Sequence, residues 1–120
     1  MKGVFQHYGI KMSKSLKTYE LYKKYDGHCA YCGVMLKTDW QVDHIIPKSK
    51  GGTDDIGNLN PSCPRCNYTK KAMTDKEFKN HLKQRFETFF KTPMFELARD
   101  MKLIEKSYKP VKFYFELKGE

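Results

Sequence analysis

The sequence predicts an α+β fold: a small metal-stapled module of short strands and a helix, flanked by further helices. Three observations predict it. Four cysteines fall into two pairs, Cys29/Cys32 in CAYC and Cys63/Cys66 in CPRC, with thirty residues between the pairs. The stretch around and between them is broken by Gly27, Gly33, Pro47, Gly51 and Gly52, which leaves room only for short elements. Outside it, SKSLKTYELYKKY and TDKEFKNHLKQRFETFF carry the apolar spacing of helices.

The staple follows from size. A chain of 120 residues buries only about two-thirds of its unfolded surface, so no large multilayered core fits. Two short turns that each aim two soft thiolates at a common centre suit tetrahedral Zn²⁺, which closes the chain where the core is small. Spacing alone also admits disulfides or an iron centre held by four thiolates. The absence of a secretion pattern weighs against the first, and the context of a small stapled module favours structural zinc over the second.

Lys and Arg number 23 against 14 Asp and Glu, a formal charge of +9, while 39% hydrophobic and 14% aromatic residues exclude wholesale disorder. Such a charge draws polyanions, nucleic acid first among them, without specifying sequence preference or catalysis. The excess is localised: residues 1–28 and 71–120 carry +4 each, and residues 29–70 only +1. Four zinc-bound thiolates with one Zn²⁺ add about −2 to that centre. The opening MKGVFQHYGIKMSKSLK has no uninterrupted apolar region or small-residue cleavage pattern, and no run approaches a membrane span. The expectation is a cytoplasmic protein with no secretion signal and no membrane association.

In chain order, residues 1–26 read as an irregular lead-in and one short helix. Ser13 or Ser15 caps it, Leu16, Tyr19, Leu21, Tyr22 and Tyr25 dock it on the module, and it ends before Gly27. Residues 27–73 form the module. Val34–Leu36 and Trp40–Val42 are expected to pair as a hairpin around Lys37–Asp39, delivering Asp43 and His44 at its end; SKGGTDD makes an irregular crossing, and a helix starts near CPRCNYTKKAM. Residues 74–120 pack on the core or on a partner. Thr74 and Glu77 predict a capping box, followed by an apolar stripe of Phe78, Leu82, Phe86 and Phe89 with Arg85 beside it. The stripe packs within the monomer or, if exposed, joins two copies as a homodimer. Thr92 and Pro93 restart a helix whose Met94 and Met101 are expected in the core, and the alternation in VKFYFEL predicts a terminal strand.

The chemistry-bearing residues cluster. VDHIIPKSKGG sets a carboxylate, Asp43, beside an imidazole, His44, and NLNPSCPRCN sets Asn58 and Asn67 around the second knuckle. Asp43 with the amide oxygen of Asn67 suits Mg²⁺ or Mn²⁺ better than zinc and leaves His44 free to move protons. An isolated Asp–His pair or loop Asn would be unremarkable; gathered around two knuckles in a basic chain, they are compatible with a metal-assisted phosphodiesterase. Lys48, Lys50, Arg65, Lys70 and Lys71 are candidate phosphate contacts, while His28 beside Cys29 reads as structural.

Taken together, CAYCG, VDHIIPKSKGGTDDIGNL and CPRCNYTK resemble the HNH endonucleases, in particular the subgroup with a four-cysteine zinc site around a ββα-metal motif. The resemblance spans residues 25–72. It implies His44 as general base, Asp43 as a ligand of the catalytic divalent metal, and Asn58 as the hydrogen-bonding residue that holds the active-site loop. The final motif position falls on Asn67 where the literal motif has histidine, as in HNN variants of the family. That departure implies Mg²⁺ or Mn²⁺ rather than Ni²⁺ or catalytic Zn²⁺, while the resemblance itself implies a DNA partner and products with 5′-phosphate and 3′-hydroxyl ends. A noncatalytic zinc-containing nucleic-acid-binding module, or a protein-interaction scaffold, is the rival reading; neither would need Asp43.

Overall fold

The computed structural model describes residues 12–104 and 109–119, with side chains from Leu16 onward. The expected lead-in before Met12 lies outside the described residues, and Ser13 and Ser15, expected to cap the first helix, lie inside it instead. Helix α1 spans Met12–Lys23. It buries Leu21 and Tyr22, half-buries Tyr25 and leaves Tyr19 in solvent. As expected it ends before Gly27, whose φ of +80° and packing demand glycine: an added Cβ would lie 2.7 Å from the Tyr22 hydroxyl.

The first knuckle folds back on itself. The Cys29 N–H donates to the Val34 carbonyl at 2.8 Å and the Leu36 N–H to the Gly27 carbonyl at 2.8 Å. Residues 34–36 are thus engaged with 27–29, and the hairpin expected around Lys37–Asp39 does not form. Strand β1, Gln41–His44, instead pairs antiparallel with β2, Leu59–Ser62, in the register Gln41↔Ser62 to His44↔Leu59. The cause is nonlocal. Joining the two cysteine pairs brings Ala30 N–H to the Pro61 carbonyl at 2.9 Å and Cys63 N–H to Cys29 Sγ at 3.3 Å, which seats β2 between the first knuckle and β1.

Helix α2, Pro64–Lys70, follows at once. Pro64 starts it without wasting an N–H, and the Cys63 side chain caps it by accepting the Cys66 N–H. The order β1, β2, α2 is the ββα unit. Helix α3, Asp75–Phe90, opens on the predicted capping box of Thr74 and Glu77, and α4, Pro93–Asp100, on the predicted Thr92 cap. Helix α4 leans on α3 through Phe95, which meets Phe89 at 5.1 Å and Phe90 at 4.8 Å. That choice of face leaves Met94 73% and Met101 60% exposed, contrary to their expected burial.

The expected terminal strand is also replaced. Tyr114–Gly119 is a short helix, α5. Phe113 and Phe115 both reach Tyr31, at 5.0 and 5.8 Å, and Phe115 N–H binds the Ala30 carbonyl, after which the chain winds back with Glu116 N–H on the Phe113 carbonyl. The alternation recorded two aromatic anchors around a helix start, not a pleat; Leu117, the next member of the pattern, is exposed. One core results, built around Tyr22, Tyr31, Trp40, Phe78 and Phe113 beside the cysteines. Among the described residues no helix is long and apolar enough to cross a membrane.

Candidate functional site

The four cysteine sulfurs lie within 4.8 Å of one another. Cys32 and Cys63 Sγ are 3.7 Å apart, close to the ~3.8 Å edge of a tetrahedron with Zn–S bonds of about 2.3 Å. The hydrogen bond with Cys66 holds the Cys29 thiol down to about 4, while the same bond pushes Cys66 up. Arg65 lies 3.6 Å from the Sγ of Cys32, the exposed member. These residues form a cluster suited to a metal ion.

The end of β1 carries the second constellation, and strand alternation sends Asp43 and His44 to opposite sides. Asp43 is buried: the Tyr31 hydroxyl donates to its Oδ2, and the Lys70 ammonium lies 3.1 Å from its Oδ1. Burial pushes the Asp43 carboxyl up, opposed by the Tyr31 hydrogen bond and the Lys70 charge. Burial and the adjacent Asp43 push the Tyr31 phenol up as well, so it stays a donor. Lys70 also donates to the carbonyls of His44 at 2.8 Å and Met73 at 2.7 Å. Its three protons thus meet three internal acceptors and it is fully buried. This corrects its assignment as a phosphate contact: Lys70 holds the backbone beneath His44. Lys70→Met is expected to destabilise the fold by about 3–5 kcal/mol, because it strands the Asp43 charge in the interior; urea titration checks this.

His44 points outward. Its Nε2 lies 2.8 Å from Asp54 Oδ1, and Lys48 Nζ lies 2.8 Å from Asp54 Oδ2. Asp54 is the residue of this constellation that the sequence reading missed. GGTDD offered two carboxylates ten and eleven residues beyond His44, with nothing in the local spacing to say which one the glycines fold back. The hydrogen bond from Lys48, then that from His44, lowers Asp54 to about 2. A depressed acid is charged wherever its unfolded counterpart would be, so this contact persists at neutral pH and is lost only as pH falls through the depressed value. A carboxyl-carbon NMR titration should place the Asp54 midpoint at about 2 and return it toward the ordinary ~3.9 in Lys48→Ala.

The crossing loop is braced by Asn58. Its Oδ1 accepts the Ile46 N–H at 3.0 Å, and its Nδ2 donates to the carbonyls of Ile46 at 3.0 Å and Thr53 at 2.8 Å. The brace needs Gly52, where a Cβ would sit 1.6 Å from the Ile46 oxygen. Gly52→Ala should therefore open the loop at a cost of about 1–3 kcal/mol, seen as faster hydrogen exchange at the Ile46 amide. Helix α1 reaches the same region: Lys17 Nζ binds the Asp54 carbonyl, and Lys24, just after the helix, binds the carbonyls of Ile56 at 3.1 Å and of Leu59, the first residue of β2, at 2.6 Å.

Asp43, His44, Lys48, Asn67 and Lys71 line one cavity of ≈ 300 Å³. The structure thus unites the predicted acid, base and terminal asparagine with two of the five predicted basic residues. Of the others, Lys50 is exposed and paired with Glu77 at 2.6 Å, Arg65 sits at the cysteine cluster, and Lys70 is internal. His28 stacks on Tyr114 at 5.2 Å, the structural place expected of it.

Among known families, residues 29–83 match the model described as HNH endonuclease. The match takes in both knuckles, the cavity and the first half of α3. No curated protein matches the chain.

Proposed function

Residues 29–83 belong to the HNH endonuclease family, and from that premise we propose that the chain is a metal-dependent endonuclease hydrolysing phosphodiester bonds in DNA with His44 as general base. The observation that carries this reading is the convergence of Asp43, His44 and Asn67 on one cavity flanked by Lys48 and Lys71. Asp54 is absent from that lining and sits on the other edge of the imidazole. Accepting the Nε2–H, it fixes the tautomer and leaves the Nδ1 lone pair to take a proton from water. Asp54 is a positioning residue, because its carboxylate acts through His44 and Lys48. Lys48 and Lys71 then meet the phosphate as it gains charge.

The donor set fits a hard cation. Each oxygen of Asp43 keeps a lone pair beyond its one hydrogen bond, and Asn67 offers a neutral amide oxygen on the same cavity. Mg²⁺ or Mn²⁺ held there would supply charge neutralisation at the phosphate and the leaving oxygen. The four thiolates, soft and closed, fit structural zinc. Incubating supercoiled plasmid with the protein and Mg²⁺ or Mn²⁺ tests the proposal. Nicked or linear product that EDTA abolishes is expected; binding without cleavage would assign a noncatalytic zinc module instead.

A further inference from the structure

A second cavity, of ≈ 980 Å³, lies between α3 and residues 109–113. Arg65 and Thr69 of α2 face it, whereas Asn67 and Lys71 face the hydrolytic cavity. Positions two apart on a helix point about 200° apart, so α2 separates the two sites. Phe78 and Phe113, stacked at 5.3 Å, make a buried floor. Phe86 and Phe89 make a wall, 41% and 53% exposed. They are held by neighbouring rings: Phe86 stacks on Phe90, itself on the lining, at 6.1 Å, and Phe89 meets Phe95 edge-on at 5.1 Å. The exposed rings are therefore ordered before anything binds, which lowers the entropic cost of binding.

Charge selects the occupant. The lining holds no carboxylate, and Arg85, Lys109 and Lys112 on it have no carboxylate partner among the described residues. A second copy seated face to face would set these cations against their equals. Flat apolar rings under unpaired cations match a chain with flat bases inside and phosphates outside.

We propose that this groove binds an unpaired DNA strand, with bases stacking on Phe86 and Phe89 and phosphates on Arg85, Lys109 and Lys112. The site uses none of Asp43, His44 or Asn67, and it favours substrates with a single-stranded stretch on the side of α2 away from the hydrolytic cavity.

The test uses the full chain carrying His44→Ala, zinc-loaded, with a fluorescent twelve-nucleotide oligothymidylate and a duplex of equal length, read by anisotropy across a salt series. Adding Phe89→Ala or Phe86→Ala should weaken oligothymidylate binding about 5- to 150-fold and leave the duplex unchanged. Arg85→Gln should reduce the slope of log affinity against log salt by about 0.7. Both phenylalanines are exposed, so the variants should fold; circular dichroism and zinc content verify it. Unchanged oligothymidylate affinity in both phenylalanine variants would overturn the proposal. So would an equal loss for duplex, or a micromolar dimer by light scattering that Phe89→Asp dissociates. If the His44→Ala chain still cuts DNA, the base assignment fails while the binding series still reports on the groove.

Discussion

His44→Ala will lower plasmid cleavage by about 10²- to 10⁴-fold, the contribution of a positioned general base, while zinc content and unfolding midpoint stay near those of the parent. The fold is spared because the imidazole is partly exposed and, among the described residues, its ring hydrogen-bonds Asp54 alone. Removing it leaves Asp54 at the surface and still paired with Lys48, so no buried charge is stranded. The variant thus separates chemistry from stability, which Asp43 does not allow: its carboxylate anchors Lys70 and Tyr31 in the interior. Cleavage at parental rate by His44→Ala would remove His44 from the mechanism.

Stripping the metal from the cysteine cluster will unfold the central module. Structural zinc contributes about 10–16 kcal/mol of apparent binding free energy in small zinc domains, against about 5–15 kcal/mol of net stability for an ordinary domain. The placement of the cluster here makes the coupling direct. Cys29, Cys63 and Cys66 are core members, and the Cys63 N–H on Cys29 Sγ is one of the bonds that seats β2 against the first knuckle. Without the metal, four thiols crowd within 4.8 Å, β2 loses its placement, and β1 loses the strand that holds Asp43 and His44 in register. Far-ultraviolet circular dichroism and near-ultraviolet tryptophan signal at Trp40, followed during chelation, should collapse together. A native spectrum after full zinc removal would show that the aromatic core suffices alone.

What the sequence made legible was local. The Thr74–Glu77 box, the Thr92–Pro93 start and the stop before Gly27 each depend on a few adjacent residues. The cysteine pairs were legible at long range because their chemistry demands a common centre. Strand pairing was not: nothing within Val34–Val42 says that residues 34–36 turn back to 27–29 while 41–44 wait for 59–62. That choice depends on the closed knuckles. Lys70 was misplaced because a lysine beside a nuclease-like motif reads as a phosphate contact, and only the three internal acceptors around its ammonium tell otherwise. Asp54 escaped because its partner, His44, is met only after Gly51, at a φ of 90°, and Gly52, pressed on the Ile46 carbonyl, return the loop.

Lys17 of α1 and Lys24 just after it bear on where the working unit begins. Similarity delimits a piece starting at Cys29, yet Lys17 and Lys24 hold carbonyls of the very loop that presents Asp54 and Asn58, and Leu21 and Tyr22 fill the same core as Tyr31. The border of a recurring motif and the border of a mechanical part therefore differ by at least one helix. Anyone grafting this candidate centre onto another scaffold would have to carry α1 along, or supply two other cations to close the loop from outside.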